Sequence, residues 1–183
     1  MPLTDGDWCK QNRMVSEKAG EDLFDENSRI TSEKVLKYLL DSLRPSYDYI
    51  LIDCPPSLSM LTINALVAAD SVLLPVEAHI LSYDDVSEAL ATVNGVKRKY
   101  NTKLKVEGIL LTKYQGQTKL GRNTMKLVQD NYGDALNLFS QPIPYAVRLA
   151  EQPGYGVSIH ELEPFSKASL AYEMAAKELL TNG

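Results

Sequence analysis

The sequence predicts an α/β fold with a mainly parallel sheet flanked by helices. Two observations carry that prediction. Short apolar runs near residues 49–52, 71–76 and 106–112 alternate with longer stretches whose apolar residues recur at helical spacing. The runs also place Tyr, Ile, Leu and Val at consecutive positions, as a strand covered by helices on both faces requires.

In chain order, residues 1–30 are polar and acidic, contain Gly6 and Gly20, and keep no sustained period. They read as a variable N-terminal arm, and residues 31–183 as one α/β domain. Leu36, Leu39, Leu40 and Leu43 give an amphipathic helix from about Ser32 to Leu43, with Thr31 or Ser32 as its cap and Pro45 just beyond its end. The run Tyr49-Ile50-Leu51-Ile52 then predicts a buried strand ending on Asp53, because Pro55 and Pro56 forbid further ladder pairing. Asp53 would sit at the carboxyl end of that strand, where open α/β sheets bind ligands.

A helix from about Ser59 to Ala69 and a strand from Ser71 to Val76 follow. Ser82-Tyr83-Asp84-Asp85 has the form of a capping box and opens a helix reaching about Tyr100. Val86, Leu90, Val93 and Val96 form its apolar stripe, and Lys97, Arg98 and Lys99 complement the negative end of its dipole. Val106–Thr112 is a further strand, about Thr118–Tyr132 a helix, and Leu136–Phe139 a short strand. After the Pro142-Ile143-Pro144 turn, a loop with Gly154 and Gly156 leads to a last helix, about Ser166–Leu180.

The chain has 183 residues, 44% hydrophobic and 23% charged, the balance of a globular protein with a real core. No apolar stretch reaches a membrane span, and no basic segment followed by an apolar one opens the chain, so neither membrane nor secretory targeting is expected. Cys9 and Cys54 make neither a disulfide framework nor a metal site, and Cys54 is expected to be a small buried residue in a reducing cytoplasm. A net charge of −5 argues against nucleic-acid binding by bulk charge, though not against a local basic patch.

Four apolar residues followed by Asp describe a Walker B strand as well as an ordinary strand end capped by Asp. The longer stretch decides between them. Asp53-Cys54-Pro55-Pro56-Ser57-Leu58, Leu61-Thr62, Asn64-Ala65-Leu66, Ala68-Ala69-Asp70 and Val72-Leu73-Leu74-Pro75-Val76 resemble the Walker B region of the ParA/MinD family of partition ATPases, ParA/Soj branch. Lys105–Thr112, Ile143-Pro144, Val147-Arg148-Leu149-Ala150-Glu151 and Tyr155-Gly156 extend the resemblance, which runs from about residue 32 to the C-terminus. It implies a P-loop NTPase-like fold and a cytoplasmic protein that binds ATP and Mg²⁺. It also implies a ParA-type dimer, nonspecific DNA contact and a centromere-binding partner. Carried over by residue, Asp53 would hold Mg²⁺ through water, Pro144 would lie near the nucleotide base, and Lys119, Arg122 and Arg148 would face DNA.

The sequence departs from the family pattern in three places. The family's glycine-rich KGGxGKT loop and the following DxDPQ strand have no counterpart, and no GK[ST] tripeptide occurs. The fold is therefore expected to be incomplete, with its first strands missing, and ATP hydrolysis is not expected from this chain alone. Tyr145 stands where the family has the Arg of IPR, and Gln117 where it has the Arg of DxRT. Nonspecific DNA binding is accordingly expected to be weak. Three functions stay open: a partition protein by kinship, a non-catalytic module pairing with a ParA-type partner, and a truncated remnant.

Other chemistry finds little footing. His79 and His160 lack companions at metal-ligand spacing, Ser57 lacks a GxSxG elbow, and no CxxC is present. The final helix has balanced charge, unlike a basic amphipathic membrane tail.

Overall fold

The computed structural model describes residues 31–55, 59–78 and 82–182. The arm at 1–30, Ser57, His79 and the side chains of the expected capping box at 82–85 lie outside the described residues. What is described divides into two compact groups, one formed by 31–70 with 96–104 and the other by 71–95 with 105–182.

In the first group a 3₁₀ turn, Ser32–Lys34, leads into α1 (Val35–Asp41), and a second turn, Arg44–Ser46, holds Pro45 in its first positions. α2 (Met60–Ala68) follows, with Ser59 extended at its N-cap and Asn64 to Ala68 buried. Asn64 joins α2 to the 3₁₀ turn at Ser32–Lys34 and to α1. Its Oδ1 accepts from the Leu36 N–H at 3.2 Å, and its Nδ2 donates to Ser32 O at 2.7 Å. A buried amide is tolerable there because both ends are bonded. Two further side chains take up the carbonyls at the C-terminal end of α2. Asn101 Nδ2 donates to Leu66 O at 3.0 Å and Ala69 O at 2.8 Å, and Arg44 donates to Ala68 O and Asp70 Oδ2, each at 2.8 Å. The bond to Asp70 and its charge raise the Arg44 pKa above its ordinary value.

The segment 49–52 corrects the sequence expectation. No strand forms there, and no ladder partner faces it among the described residues. Tyr49 is 64% and Leu51 87% exposed, against 36% for Ile50. An apolar run names a strand only when a neighbour takes up its backbone groups, and hydrophobicity alone does not supply that neighbour. Cys54, expected to be buried, is exposed as well.

The second group is a parallel βα unit covered on two faces. β1 (Ser71–Glu77) pairs in parallel with β2 (Lys105–Thr112), and α3 (Ser82–Lys99) is the crossover between them. The register runs from Ser71 opposite Lys105 to Glu77 opposite Thr112, with a bulge that leaves Glu107 unmatched between Val72 and Leu73. α4 (Lys119–Tyr132), α5 (Val147–Glu151), α6 (Ile159–Leu162) and α7 (Lys167–Asn182) complete the group.

Alternate strand residues serve opposite faces. Leu74, Val76, Ile109 and Leu111 pack with Val86 of α3 and Val128 of α4. Leu73 and Leu110 pack with Phe139, Ile143 and the small residues Ala171 and Ala175 of α7. Helices therefore flank both faces of a parallel sheet, as the consecutive apolar residues predicted.

The short strand expected at Leu136–Phe139 is reduced to a bridge between Leu138 and Ile109. The chain still runs beside β2. Ile109 N donates to Asn137 O at 2.8 Å, Phe139 N to Ile109 O at 3.0 Å, and Ile143 N to Leu111 O at 2.8 Å. Two residues of β2 are thus spanned by the detour from Phe139 to Ile143. It contains Pro142, which has no N–H to give, so a regular ladder cannot form.

Candidate functional site

The carboxyl ends of β1 and β2, with the loop leaving β2, mark the place where open α/β sheets bind ligands. Ala78 N donates to Thr112 O at 2.9 Å and Thr112 Oγ1 to Val76 O at 3.3 Å, so the two strand ends are tied together. Lys113 follows with φ of 50°, and is the one positive-φ residue other than glycine among those described. The side chain of Lys113 turns back to make an ion pair with Glu77. The sequence showed both charges but not that they meet. Their meeting depends on the β1–β2 register.

The loop 114–118 is fastened from two sides. Tyr114 N donates to Ile143 O and Tyr145 N to Tyr114 O, each at 3.0 Å, which places Pro144 opposite Tyr114 in a parallel bridge. From the other side, Thr118 Oγ1 caps α4 by accepting from Gly121 N at 3.0 Å, and its hydroxyl donates to Gln115 O at 2.8 Å. A Cβ on Gly121 would stand 2.4 Å from Gln115 O, so the loop crosses the first turn at a distance only glycine allows.

Of the residues singled out in the sequence, Arg122 lies against the loop after β2. Its guanidinium donates to Gly116 O and Gln117 O at 2.9 Å each, satisfying the loop carbonyls while keeping an unneutralised charge at the surface. Lys119 opens α4 and is exposed. Arg148 is held by two carboxylates, Glu163 at 3.1 Å and Glu151 at 3.2 Å. Lys119, Arg122, Pro144 and Arg148 all belong to the second group, whereas Asp53 belongs to the first. Asp53 is exposed and accepts no hydrogen bond from another described residue. Desolvation raises the neighbouring Cys54 thiol pKa, and the Asp53 charge adds to that rise.

A groove of about 510 Å³ lies beside the loop. Tyr114, Arg122, Met125, Lys126, Leu138 and Phe139 shape it. It escaped the sequence reading because half of its wall comes from α4 and half from the irregular lane beside β2. His160 has a structural partner, with its Nδ1 2.7 Å from the buried Ser169 Oγ.

An exposed carboxylate such as Asp53 is chemically suited to hold Mg²⁺ through the water shell, which asks for a single acid. The described residues offer no group of three or more His, Cys, Asp or Glu able to hold a metal ion directly. Nor do they offer a glycine-rich turn followed by GK[ST] on which a triphosphate could rest. The residues present suit the metal's outer shell and do not fit the nucleotide's phosphates. No helix among the described residues is long and apolar enough to cross a membrane.

A parallel α/β unit with helices on both faces is the fold shared with P-loop ATPases of the ParA/MinD type. Residues 15–106 match the AAA domain family. The chain belongs to the ParA/MinD family of P-loop ATPases. It is 41% identical over 154 residues to the sporulation initiation inhibitor protein Soj of Bacillus subtilis, an alignment covering 84% of this chain and 60% of that protein. It is 36% identical over 159 residues to the chromosome-partitioning ATPase Soj of Treponema pallidum, covering 87% of this chain and 61% of that one. Among solved structures, cobyrinic acid a,c-diamide synthase from Mycobacterium smegmatis with bound ADP and magnesium superposes with a TM-score of 0.67 at 30% identity. That superposition covers 90% of this chain and 58% of the other. The chain thus spans roughly three-fifths of the length of these relatives.

Proposed function

We propose that this chain is a ParA/Soj-like protein of chromosome or plasmid partitioning, working in the cytoplasm on nonspecific DNA with a centromere-binding partner. The observation that carries the reading is the 41% identity to Soj over 154 residues. In this reading Asp53 would hold Mg²⁺ through water, Pro144 would lie near the nucleotide base, and Lys119, Arg122 and Arg148 would meet DNA phosphates. The chain's own part is positional. Arg122 holds the loop after β2 against α4, and the Thr118 cap fixes the start of that helix.

Hydrolysis needs a phosphate cradle that these 183 residues do not contain. Removing even one transition-state donor costs about 10²–10³ in rate. The test has two arms. Purified chain with Mg·ATP is expected to give background turnover, unchanged in Asp53→Ala. Turnover that Asp53→Ala abolishes would overturn the requirement for the loop. Nonspecific duplex is expected to bind weakly at low salt, less in Arg122→Gln, with affinities no better than about 10⁻⁴–10⁻⁶ M near physiological salt. The absence of any salt-sensitive binding would overturn the DNA assignment.

A second reading, a non-catalytic module that pairs with a ParA-type subunit, is favoured by one specific feature. The segment Tyr49–Leu51 keeps apolar side chains exposed. Stabilisation of this chain by a complete ParA-type protein, with ATP turnover confined to that protein, would favour it over the first.

A further inference from the structure

We propose that the groove between α4 and residues 138–140 is a docking site for a short acidic peptide segment of a partner protein, anchored by an apolar side chain. The volume, about 510 Å³, is enough for a few side chains of a bound segment.

Its chemistry is two-sided. Met125, Leu138 and Phe139 supply its apolar lining, and Tyr114 adds an aromatic ring. Arg122 and Lys126 stand on one helical wall, four residues apart, and among the described residues no carboxylate lines the groove. The protein as a whole carries a charge of −5, so a wall of two cations without a lining acid is a local reversal of sign. The acid behind the far wall, Glu178, is already occupied. It accepts from Ser140 Oγ at 2.6 Å and Ser140 N at 3.0 Å. Among the described residues, therefore, both cations face the groove without a competing carboxylate there. Arg122 spends two donors on loop carbonyls, which fixes its guanidinium without neutralising it. Gln129 adds an amide able to bond an extended backbone.

The apolar lining decides between two kinds of anion. A nucleic-acid backbone gains from the two cations and nothing from Met125, Leu138 and Phe139. A peptide that alternates acidic and large apolar residues uses both the cations and the apolar lining. The inference goes beyond the partition reading and uses Lys126, which that reading does not.

The test titrates the full chain with a hexapeptide alternating glutamate and leucine, following backbone amides by NMR. Shifts confined to Met125–Gln129 and Leu138–Ser140 are expected. Two controls vary the probe, so they do not depend on a protein variant folding. Replacing the peptide's leucines by serine is expected to weaken binding about tenfold, and replacing its glutamates by lysine to abolish it. Lys126→Glu, at an exposed position, is expected to cost about another tenfold, equivalent to about 1.4 kcal/mol. Shifts absent from the groove, or equal binding of the serine peptide, would overturn the proposal. So would a short DNA duplex that shifts the same amides and loses as much affinity in Lys126→Glu, which would assign the groove to nucleic acid.

Discussion

Gly108 lies so close to Asn137 that a Cβ built on it would stand 2.4 Å from the Asn137 carbonyl oxygen. Its φ of 147° is a conformation that side chains rarely adopt. The bulge at Glu107 and this contact together let the lane 137–139 hydrogen-bond to Ile109. Gly108→Ala must move backbone on one side or the other. A destabilisation of about 2–4 kcal/mol is expected from strain and overpacking together. In a chain of this size that lowers the thermal midpoint by roughly 2–4 °C per kcal/mol, measurable by calorimetry. A midpoint within about 1 °C of wild type would show that the lane does not hold this position.

Asn101 secures the carbonyls at the end of α2 with one amide nitrogen. Asn101→Ala leaves Leu66 O and Ala69 O without that donor, at an expected cost of about 1–3 kcal/mol. Asn101→Asp should do at least as badly, because it brings an acceptor to two acceptors. Urea unfolding of both variants checks the order. An aspartate variant as stable as wild type would show that water replaces the bond.

Glu178 supplies a pH dependence whose sign follows from its partners. Burial raises its pKa, but bonds from Ser140 Oγ, Ser140 N and Asn137 outweigh that, and the net pKa is lowered. A carboxylate whose folded pKa lies below its unfolded value, about 4.3, contributes stability above that value. The contribution is lost as the pH falls through the folded pKa. Because the group is partly exposed, about 1 kcal/mol or less is expected. Glu178→Gln should therefore be less stable than wild type at pH 7 by about that amount, and the gap should close toward pH 3. A gap constant between pH 7 and pH 3 would mean that the charge plays no part.

The elements legible in the sequence are those whose signal is local. α3 shows its stripe through Val86, Val93 and Val96, all buried as the spacing required. The helix expected over about Thr118–Tyr132 is present as α4, with Thr118 as its cap rather than its first residue. β1 and β2 carry consecutive apolar residues, and each face found a helix layer. What failed depended on partners. The lane near Leu138 lost its ladder to the Pro142 detour. In the site, the cation at Arg122 was readable but not its two loop carbonyls, and Lys113 with Glu77 could be paired only through the strand register.

The segment 49–52 turns that difference into a measurement. As a buried central strand, it would make Leu51→Ala cost about 2–5 kcal/mol, the usual range for a core leucine. In the structure Leu51 is 87% exposed and no strand faces it among the described residues. The substitution should then change stability by no more than about 0.5 kcal/mol. Tyr47, Tyr49 and Leu51 are all more than half exposed, which presents apolar side chains to solvent. Exposed apolar edges with untaken backbone groups invite another chain. The purified protein is accordingly expected to self-associate as its concentration rises, and Leu51→Lys to suppress that association without loss of stability. Sedimentation velocity and urea unfolding on the same samples read both effects. A chain that stays monomeric at high concentration, together with a Leu51→Ala penalty above about 2 kcal/mol, would show that this leucine is buried in solution.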